Sequence, residues 1–578
     1  MNNDECVPDW AKDVIWYQIF PERFRNGCPG STPKQTDFSD HTIEQWKPSS
    51  WGMDWYSQEP WEKKMGNYFS SVFSRRFGGD LVGVREKLDY LQELGITAIY
   101  LNPIFQARSL HKYDATNYHH IDPAFGPDRE GDLNMIAHAH ETNDPTTWVW
   151  TAADEYFTQL VKEIHHRGMR VIIDGVFNHT GKAFFAFDDI VKNGRHSRYR
   201  LWYKILKWHD HKHFDYTGWF GVKELPELGR IGGNLRRPIR EYIHAITRRW
   251  MDPHGDGDLS YGVDGWRLDV AFCVPHAFWK EWRTVVRGIN PEAYLTGELV
   301  GLAMDYLRGD EFDAVMNYMW AYPVLSFFIR GKTSISASAC KAAIQDVLDS
   351  YPEEVNEVMQ NLLDSHDTGR VLTMIANPDR SKNGWDDYFG QFRVWDHRSI
   401  NTRKPDSDAV QVLKQVVLMQ MTFVGAPMIY YGTEVGLWGA NDPADRQPML
   451  WDDIEYDQVE QDVKGHKRAV IRQPDKKLFA FYQQAIGLRK EHVVLRRGAV
   501  RWLDTENEEV LGFVRFHADE QIAVLFNVGD TPCDVTLPFE GHDLWEGVNI
   551  TTKAHTIGAK EWCIVRFACS PAKKRTAQ

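Results

Sequence analysis

The chain has 578 residues, 43% of them hydrophobic and 26% charged, a soluble globular composition whose length predicts two or three domains: a barrel with insertions plus a smaller satellite. Its formal net charge of −14 argues against nucleic acid and anionic membrane as partners, because phosphate binding needs accumulated Lys and Arg. A neutral substrate fits better.

In chain order, MNNDECVPDWAKDVIWY shows no basic start followed by an apolar core, so no secretory leader is expected and a cytoplasmic location follows. Short apolar runs that read as buried parallel strands begin at 14–20 and recur at 96–104, 169–176, 263–270, 293–299, 313–318, 358–367 and 426–432. Helical patterns separate most of them. Those at 81–95 and 155–168 carry apolar positions at three-to-four spacing and stop at Gly95 and Gly168, the usual left-handed C-terminal glycine. The most apolar window, 416–432, is interrupted by Gln420 and Pro427 and falls short of a membrane span.

Strand and helix in alternation around eight strands predict a (β/α)8 TIM barrel, whose working face lies at the C-terminal ends of the strands. Two gaps exceed what a helix needs: 126–150, and the polar, aromatic stretch after Asn178. The second is long enough for a subdomain beside the barrel mouth. After a helix at 476–490 the pattern changes to short alternating strands, predicting an antiparallel β-sandwich followed by a disordered tail, SPAKKRTAQ. The expected domains are barrel 1–177, inserted subdomain 178–235, barrel 236–494 and C-terminal sandwich 495–578. The seven cysteines (6, 28, 273, 340, 533, 563 and 569) are scattered without CxxC pairing and read as reduced thiols. Trp and Tyr number 23 each, more than core filling requires, and aromatic faces are what the C–H surface of a sugar stacks on.

The strand ends carry acid. Arg267 and Asp269 stand two apart in GVDGWRLDV and so share a face; Glu298 ends strand five and Asp367 ends strand seven. Any one such carboxylate could simply cap the next helix. Three at one rim, with Arg267, Asp174, His179 and His366 beside them, are what glycosidic cleavage by retention needs: an ionised nucleophile, a protonated acid, and negative charge near the oxocarbenium ion. Arg267 should lower the pKa of Asp269, while carboxylate neighbours and partial desolvation should raise that of Glu298.

DGVFNH (174–179), GWRLDV (265–270), GEL (297–299) and LLDSHD (362–367) resemble, in order and spacing, the four conserved regions of the α-amylase family, glycoside hydrolase family 13. The likeness continues through FGGDLVGVREKLDYLQELGITAIYLNPIF, HKYDATNYHHIDPAFG and GAPMIYYGTEVGLWGANDPADRQPMLW. It is strongest toward the neopullulanase, cyclomaltodextrinase and maltogenic-amylase branch. The resemblance implies Asp269 as nucleophile, Glu298 as general acid and base, and Asp367 as stabiliser of the distorted sugar. It further implies His179 and His366 as hydrogen-bond donors to that sugar, Tyr113 as its stacking platform, and Asp174 as a support for Arg267. Trp219 is a candidate sugar platform or a packing residue.

The implied function is hydrolysis of α-1,4-glucosidic bonds in malto-oligosaccharides, starch, pullulan or cyclodextrins. The alternatives are a transglycosylase or a sucrose or maltose isomerase on the same fold, and a non-catalytic carbohydrate-binding protein. No organic cofactor is expected. The chain departs from that branch in reaching its first strand by residue 16, where relatives carry an N-terminal β-sandwich that helps build a dimer; it also has Phe272 and Cys273 where they carry Asn and Glu. Two loops are candidates for calcium: Asn26, Gly78 and Asp80, although Cys28 replaces an expected carboxylate, and Asp252, Asp256 and Asp258 in a Gly-rich turn. His209, His211 and His213 alternate, but no further ligand is spaced to close a zinc shell, and a subdomain surface is expected there.

Overall fold

The structure is a computed structural model that describes residues 7–39, 41–463 and 466–568. The tail at 570–578, Cys6 and Cys569 lie outside the described residues. Eight parallel strands form one sheet: β1 (Trp16–Ile19), β2 (Ala98–Leu101), β3 (Arg170–Gly175), β4 (Gly265–Leu268), β5 (Tyr294–Gly297), β6 (Ala314–Val315), β7 (Gln360–Leu362) and β8 (Ala426–Tyr430). Neighbours run in the order β6-β5-β4-β3-β2-β1-β8-β7, and a parallel bridge from Met316 to Gln360 joins the last strand to the first. The ring is closed: a (β/α)8 barrel, with no sheet edge left to protect.

The strands are near-continuous apolar runs because both faces are covered. On β4, Trp266 and Leu268 are fully buried toward the helices, while Arg267, also fully buried, points the other way, into the barrel. Ala152–His166 lies over β3 through Phe157, Leu160, Val161 and Ile164, opens on a reciprocal Thr151–Asp154 capping box, and is followed by Gly168 at φ 74°. His276–Ile289 buries Phe278, Trp279, Trp282 and Val286. Each indole there takes roughly 150–250 Å² out of water, about 5 kcal/mol of transfer free energy.

Three details differ from the sequence reading. The helix expected over 81–95 is broken at Lys87 into Leu81–Glu86 and Leu88–Leu94, although Gly95 (φ 99°) ends it as expected. Two runs are mostly not strand: 313–318 keeps two strand residues before a helix starts at Tyr318, and 358–367 keeps three before turning into a loop. Those apolar positions are buried all the same, and burial alone does not separate a strand from the loop that follows it. A hairpin, Gln458–Val463 with His466–Ile471, forms where no element was expected.

Between β3 and β4 the chain forms a helix, Phe185–Asn193, and three small hairpins that span 205–235. Beyond the barrel, a six-stranded antiparallel sheet (Ala499–Trp502, Val510–His517, Glu520–Asn527, Trp562–Ala568, Gly541–Asp543 and Asn549–Ile550) faces a two-stranded one, Cys533–Thr536 with Ala554–Ile557. Val510, Val514, Leu525, Val535, Leu537 and Val565 fill the space between them. Among the described residues the five cysteines are free thiols, and no helix is long and apolar enough to cross a membrane.

Candidate active site

Barrel register sets the first contacts. Arg267 stands level with Asp174 on β3 and Thr296 on β5. Strand β4 ends at Leu268, and the Asp269 N–H then bonds to the Gly175 carbonyl (3.1 Å), while the Glu298 N–H bonds to the Leu268 carbonyl (2.9 Å). Adjacent strand ends thereby present Arg267, Asp269 and Glu298 to one space.

The guanidinium of Arg267 organises it. One terminal nitrogen, Nη1, donates to both oxygens of Asp174 (2.9 and 3.0 Å) and to Asp269 Oδ1 (3.0 Å); Nη2 lies 3.0 Å from Glu298 Oε2. Glu298 Oε2 also accepts the Val270 N–H at 2.8 Å. That donor is aimed by Val270 at φ 37°, ψ 48°, a left-handed conformation that a β-branched residue adopts only under constraint. The Val270 N–H and the nearby Arg267 cation both engage Oε2, which leaves Oε1 as the atom to carry a proton, and Asp269 Oδ2 is the oxygen that Arg267 does not hold.

Asp367 enters from the loop after β7. Arg446 Nη2 donates to its Oδ1 (3.1 Å) and His366 Nε2 lies 3.1 Å from its Oδ2. Gln18 on β1 sets the histidine: its amide donates to Asn102 Oδ1 (3.0 Å) and lies 2.8 Å from His366 Nδ1, which therefore accepts and leaves the proton on Nε2. Tyr113 closes the ring of contacts. Its hydroxyl donates to Asp174 Oδ2 (2.9 Å), lies 2.5 Å from His366 Nε2, and its ring stacks on that imidazole at 5.5 Å and 10°. His179 is buried, takes the Asn178 amide at Nδ1 (3.1 Å), and has the half-buried Trp219 ring 5.6 Å away. The structure thus brings together Asp269, Glu298, Asp367, Arg267, Asp174, Tyr113 and His366, with His179 and Trp219 alongside.

The electrostatics correct one expectation. The Asp269 carboxyl is pushed well above the ordinary carboxylate range, first by burial and then by the Glu298 charge, and the opposing Arg267 is outweighed. Arg267 divides its charge among three acids, so it cannot hold one of them strongly acidic. Burial and Glu298 also raise Asp367, to about 7, against Arg446. Burial pushes His179 down to about 4 and His366 well below its usual range, so both imidazoles are neutral donors.

Sequence reasoning did not single out Arg446, Gln18, Asn102 or Tyr100, whose hydroxyl donates to Asp174 Oδ2 at 2.7 Å. Arg446 lay within a quoted motif, GANDPADRQ; its role depends on where the loop after β8 folds. Of the two residues that depart from the branch pattern, Phe272 is 44% exposed and Cys273 half-buried.

The candidate metal residues behave differently. Asn26, Gly78 and Asp80 do cluster, but Asp80 serves as a helix cap: its carboxylate accepts the N–H groups of Gly83 (2.6 Å), Cys28 (2.8 Å) and Gly27 (3.1 Å), which turn donors, not open oxygens, toward the site. The Asn26 amide donates to Thr32 Oγ1 (3.1 Å). Asp252, Asp256 and Asp258 each turn back on the following backbone, accepting from Gly257, Asp258 and Ser260, and so do not converge. His213 pairs with Asp210 at 2.6 Å, and His211 stacks on His196.

The family profile described as "Alpha amylase, catalytic domain" matches residues 18–143 and 152–498. A cyclomaltodextrinase of Geobacillus thermopakistaniensis (strain MAS1) is 34% identical over 96% of this chain and 76% of its own length. Neopullulanase 2 of Thermoactinomyces vulgaris is 35% identical over 90% of this chain and 70% of its own. Among solved structures, the cyclic α-maltosyl-(1→6)-maltose hydrolase of Arthrobacter globiformis superposes with a TM-score of 0.71 at 27% identity, over 97% of this chain and all of its own.

Proposed function

The chain belongs to the α-amylase family and is an α-amylase-type glycosidase; from that premise we propose that it cleaves α-1,4-glucosidic bonds of malto-oligosaccharides and larger α-glucans with retention, through a covalent glycosyl-enzyme. The observation that carries this reading is the single guanidinium of Arg267, which touches Asp269 and Glu298 at 3.0 Å each. Two carboxyls bound to neighbouring nitrogens of one guanidinium are held close, and a separation of roughly 5–5.5 Å is what a retaining pair needs.

Burial and mutual repulsion keep a proton on the Asp269–Glu298 pair; the reactive form is the one in which that proton has passed to Glu298 Oε1, from where it goes to the departing glycosidic oxygen. With the proton of the pair on Glu298, Asp269 is the ionised member and attacks the anomeric carbon with Oδ2. The carboxylate left on Glu298 then takes a proton from water, which hydrolyses the glycosyl-enzyme and restores both acids. Asp367, steered by Arg446 and His366, hydrogen-bonds the ring hydroxyls and stabilises the oxocarbenium ion; Tyr113 and Trp219 give that ring apolar faces. No organic cofactor enters these steps. The names of the relatives, cyclomaltodextrinase and neopullulanase, support cyclomaltodextrins and pullulan as substrates, and one relative is named an intracellular maltogenic amylase, which supports a cytoplasmic setting.

The test is a time course on β-cyclodextrin, pullulan, soluble starch and maltotriose with the anomers followed by NMR. The α-anomer forming first supports retention; the β-anomer first refutes it. Lengthened chains or isomeric disaccharides from one substrate would move the assignment to a transglycosylase or isomerase, and a lack of any product would make the protein a binder.

A further inference from the structure

Away from the rim carboxylates, the loop after β2 carries two adjacent histidines that the proposed chemistry does not use. His119 and His120 face Glu141, which comes from the long segment 126–150. One ligand atom from each of the three lies within 4.8 Å of the others, the one such His/Cys/Asp/Glu group among the described residues. Glu141 Oε2 is 2.8 Å from His120 Nε2 and 3.3 Å from His119 Nε2, and the three side chains are only 0–7% exposed.

The surroundings orient these atoms. His120 Nδ1 lies 2.7 Å from Asp154 Oδ2, and His119 Nδ1 lies 2.8 Å from the Tyr242 hydroxyl, so both rings turn Nε2 toward Glu141. Val149 donates its N–H to Glu141 Oε1 (2.7 Å), which leaves Oε2 for the imidazoles. Trp148 stacks on His119 at 4.6 Å and 4°. A carboxylate or hydroxyl behind each imidazole is the arrangement that fixes metal-ligating histidines. Glu141 and Asp154 bring two carboxylates into this buried pocket, and Arg249 lies 3.0 Å from Asp154.

We propose that His119, His120 and Glu141 bind one divalent transition ion of the zinc class, with water as a fourth ligand, fastening the 126–150 segment to the barrel. Two imidazole nitrogens and one carboxylate oxygen suit that class; ligand distances of roughly 2.0–2.2 Å set tetrahedral ligand atoms about 3.4 Å apart, so Glu141 Oε2 and His120 Nε2 open from 2.8 Å by a small side-chain shift. The ion would be structural, since its ligands are not the rim acids.

The test uses the full chain, stripped by dialysis against a chelator and titrated with Zn²⁺ against a chromogenic competitor, with bound metal counted by elemental analysis. The expected result is one zinc per chain with Kd below about 1 μM and an upward shift in Tm. Glu141→Gln keeps an oxygen for Val149 but removes the anionic ligand; it should fold, retain glucan hydrolysis, and bind zinc at least roughly 100-fold more weakly. A triple His209→Ala, His211→Ala, His213→Ala variant should bind as the parent does. Absence of stoichiometric zinc, zinc that persists in Glu141→Gln, or zinc lost in the triple variant would each overturn the site. An imidazolium on His120 seen by NMR in the zinc-treated protein would also overturn it, in favour of a proton-held ion pair.

Discussion

Arg267→Met tests the central electrostatic claim. Methionine approximates the buried length of the side chain, so packing changes little, but the substitution removes the cation that touches Asp174, Asp269 and Glu298 at 2.9–3.0 Å from a fully buried position. Removing one partner of a buried ion pair costs about 3–5 kcal/mol while the other remains charged. The stranded acids can escape that cost only by binding protons. Each extra proton held by the folded state, relative to the unfolded chain, changes stability by about 1.4 kcal/mol per pH unit, and stability then falls as pH rises. The deficit against the parent should therefore be largest near pH 8, at about 5 kcal/mol, and shrink to about 1 kcal/mol near pH 5. Guanidinium unfolding of both proteins, followed by tryptophan fluorescence at pH 5, 6.5 and 8, measures it. A deficit that does not change with pH would show that Arg267 contributes packing alone, and the account of the rim would fail.

Further outcomes follow from the same geometry. Asp269→Ala should keep the fold and glucan binding while kcat falls by roughly 10⁴-fold or more; near-normal turnover would remove Asp269 as nucleophile. Glu298→Gln should be severely impaired on maltotriose but far less so on an α-glucosyl fluoride, whose leaving group needs no proton; equal losses on both would deny it the acid role. Asp367, with its pKa raised to about 7, favours the folded state while protonated and loses that contribution as pH rises from about 4 through 7. Asp367→Asn should consequently be more stable than the parent at pH 8, by roughly 1–3 kcal/mol, and equal to it near pH 4, while losing activity; a Tm at pH 8 no higher than the parent's would contradict this. Asp80→Ala should cost about 1–3 kcal/mol by stranding the N–H groups of Gly27, Cys28 and Gly83, an effect that thermal unfolding would register and that added calcium should not reverse.

Much of the site was legible because its logic is local. A period of two places Arg267 and Asp269 on one face, and a (β/α)8 pattern sends every strand end to one rim, so the acids at 269, 298 and 367 had to meet there. The ordered motifs carried the family as well. What stayed hidden depends on loops and on net fields. Arg446 reaches Asp367 across 79 residues through a loop whose path no periodicity encodes. The direction of the Asp269 shift could not be read from its neighbour in sequence, because burial and Glu298 decide it and both come from other strands.

The sequence by itself determined the barrel, the C-terminal β-sandwich and which acids line the mouth, since alternation and strand order fix facing without any knowledge of distance. Tertiary structure alone decided how charge is shared. One guanidinium divides itself among three acids, Asp80 is spent on backbone N–H groups instead of an open oxygen shell, and Glu141 reaches His119 and His120 from a separate segment. Each of those outcomes depends on separations of a few ångströms between residues far apart in the chain, where Coulomb energy and desolvation vary most steeply.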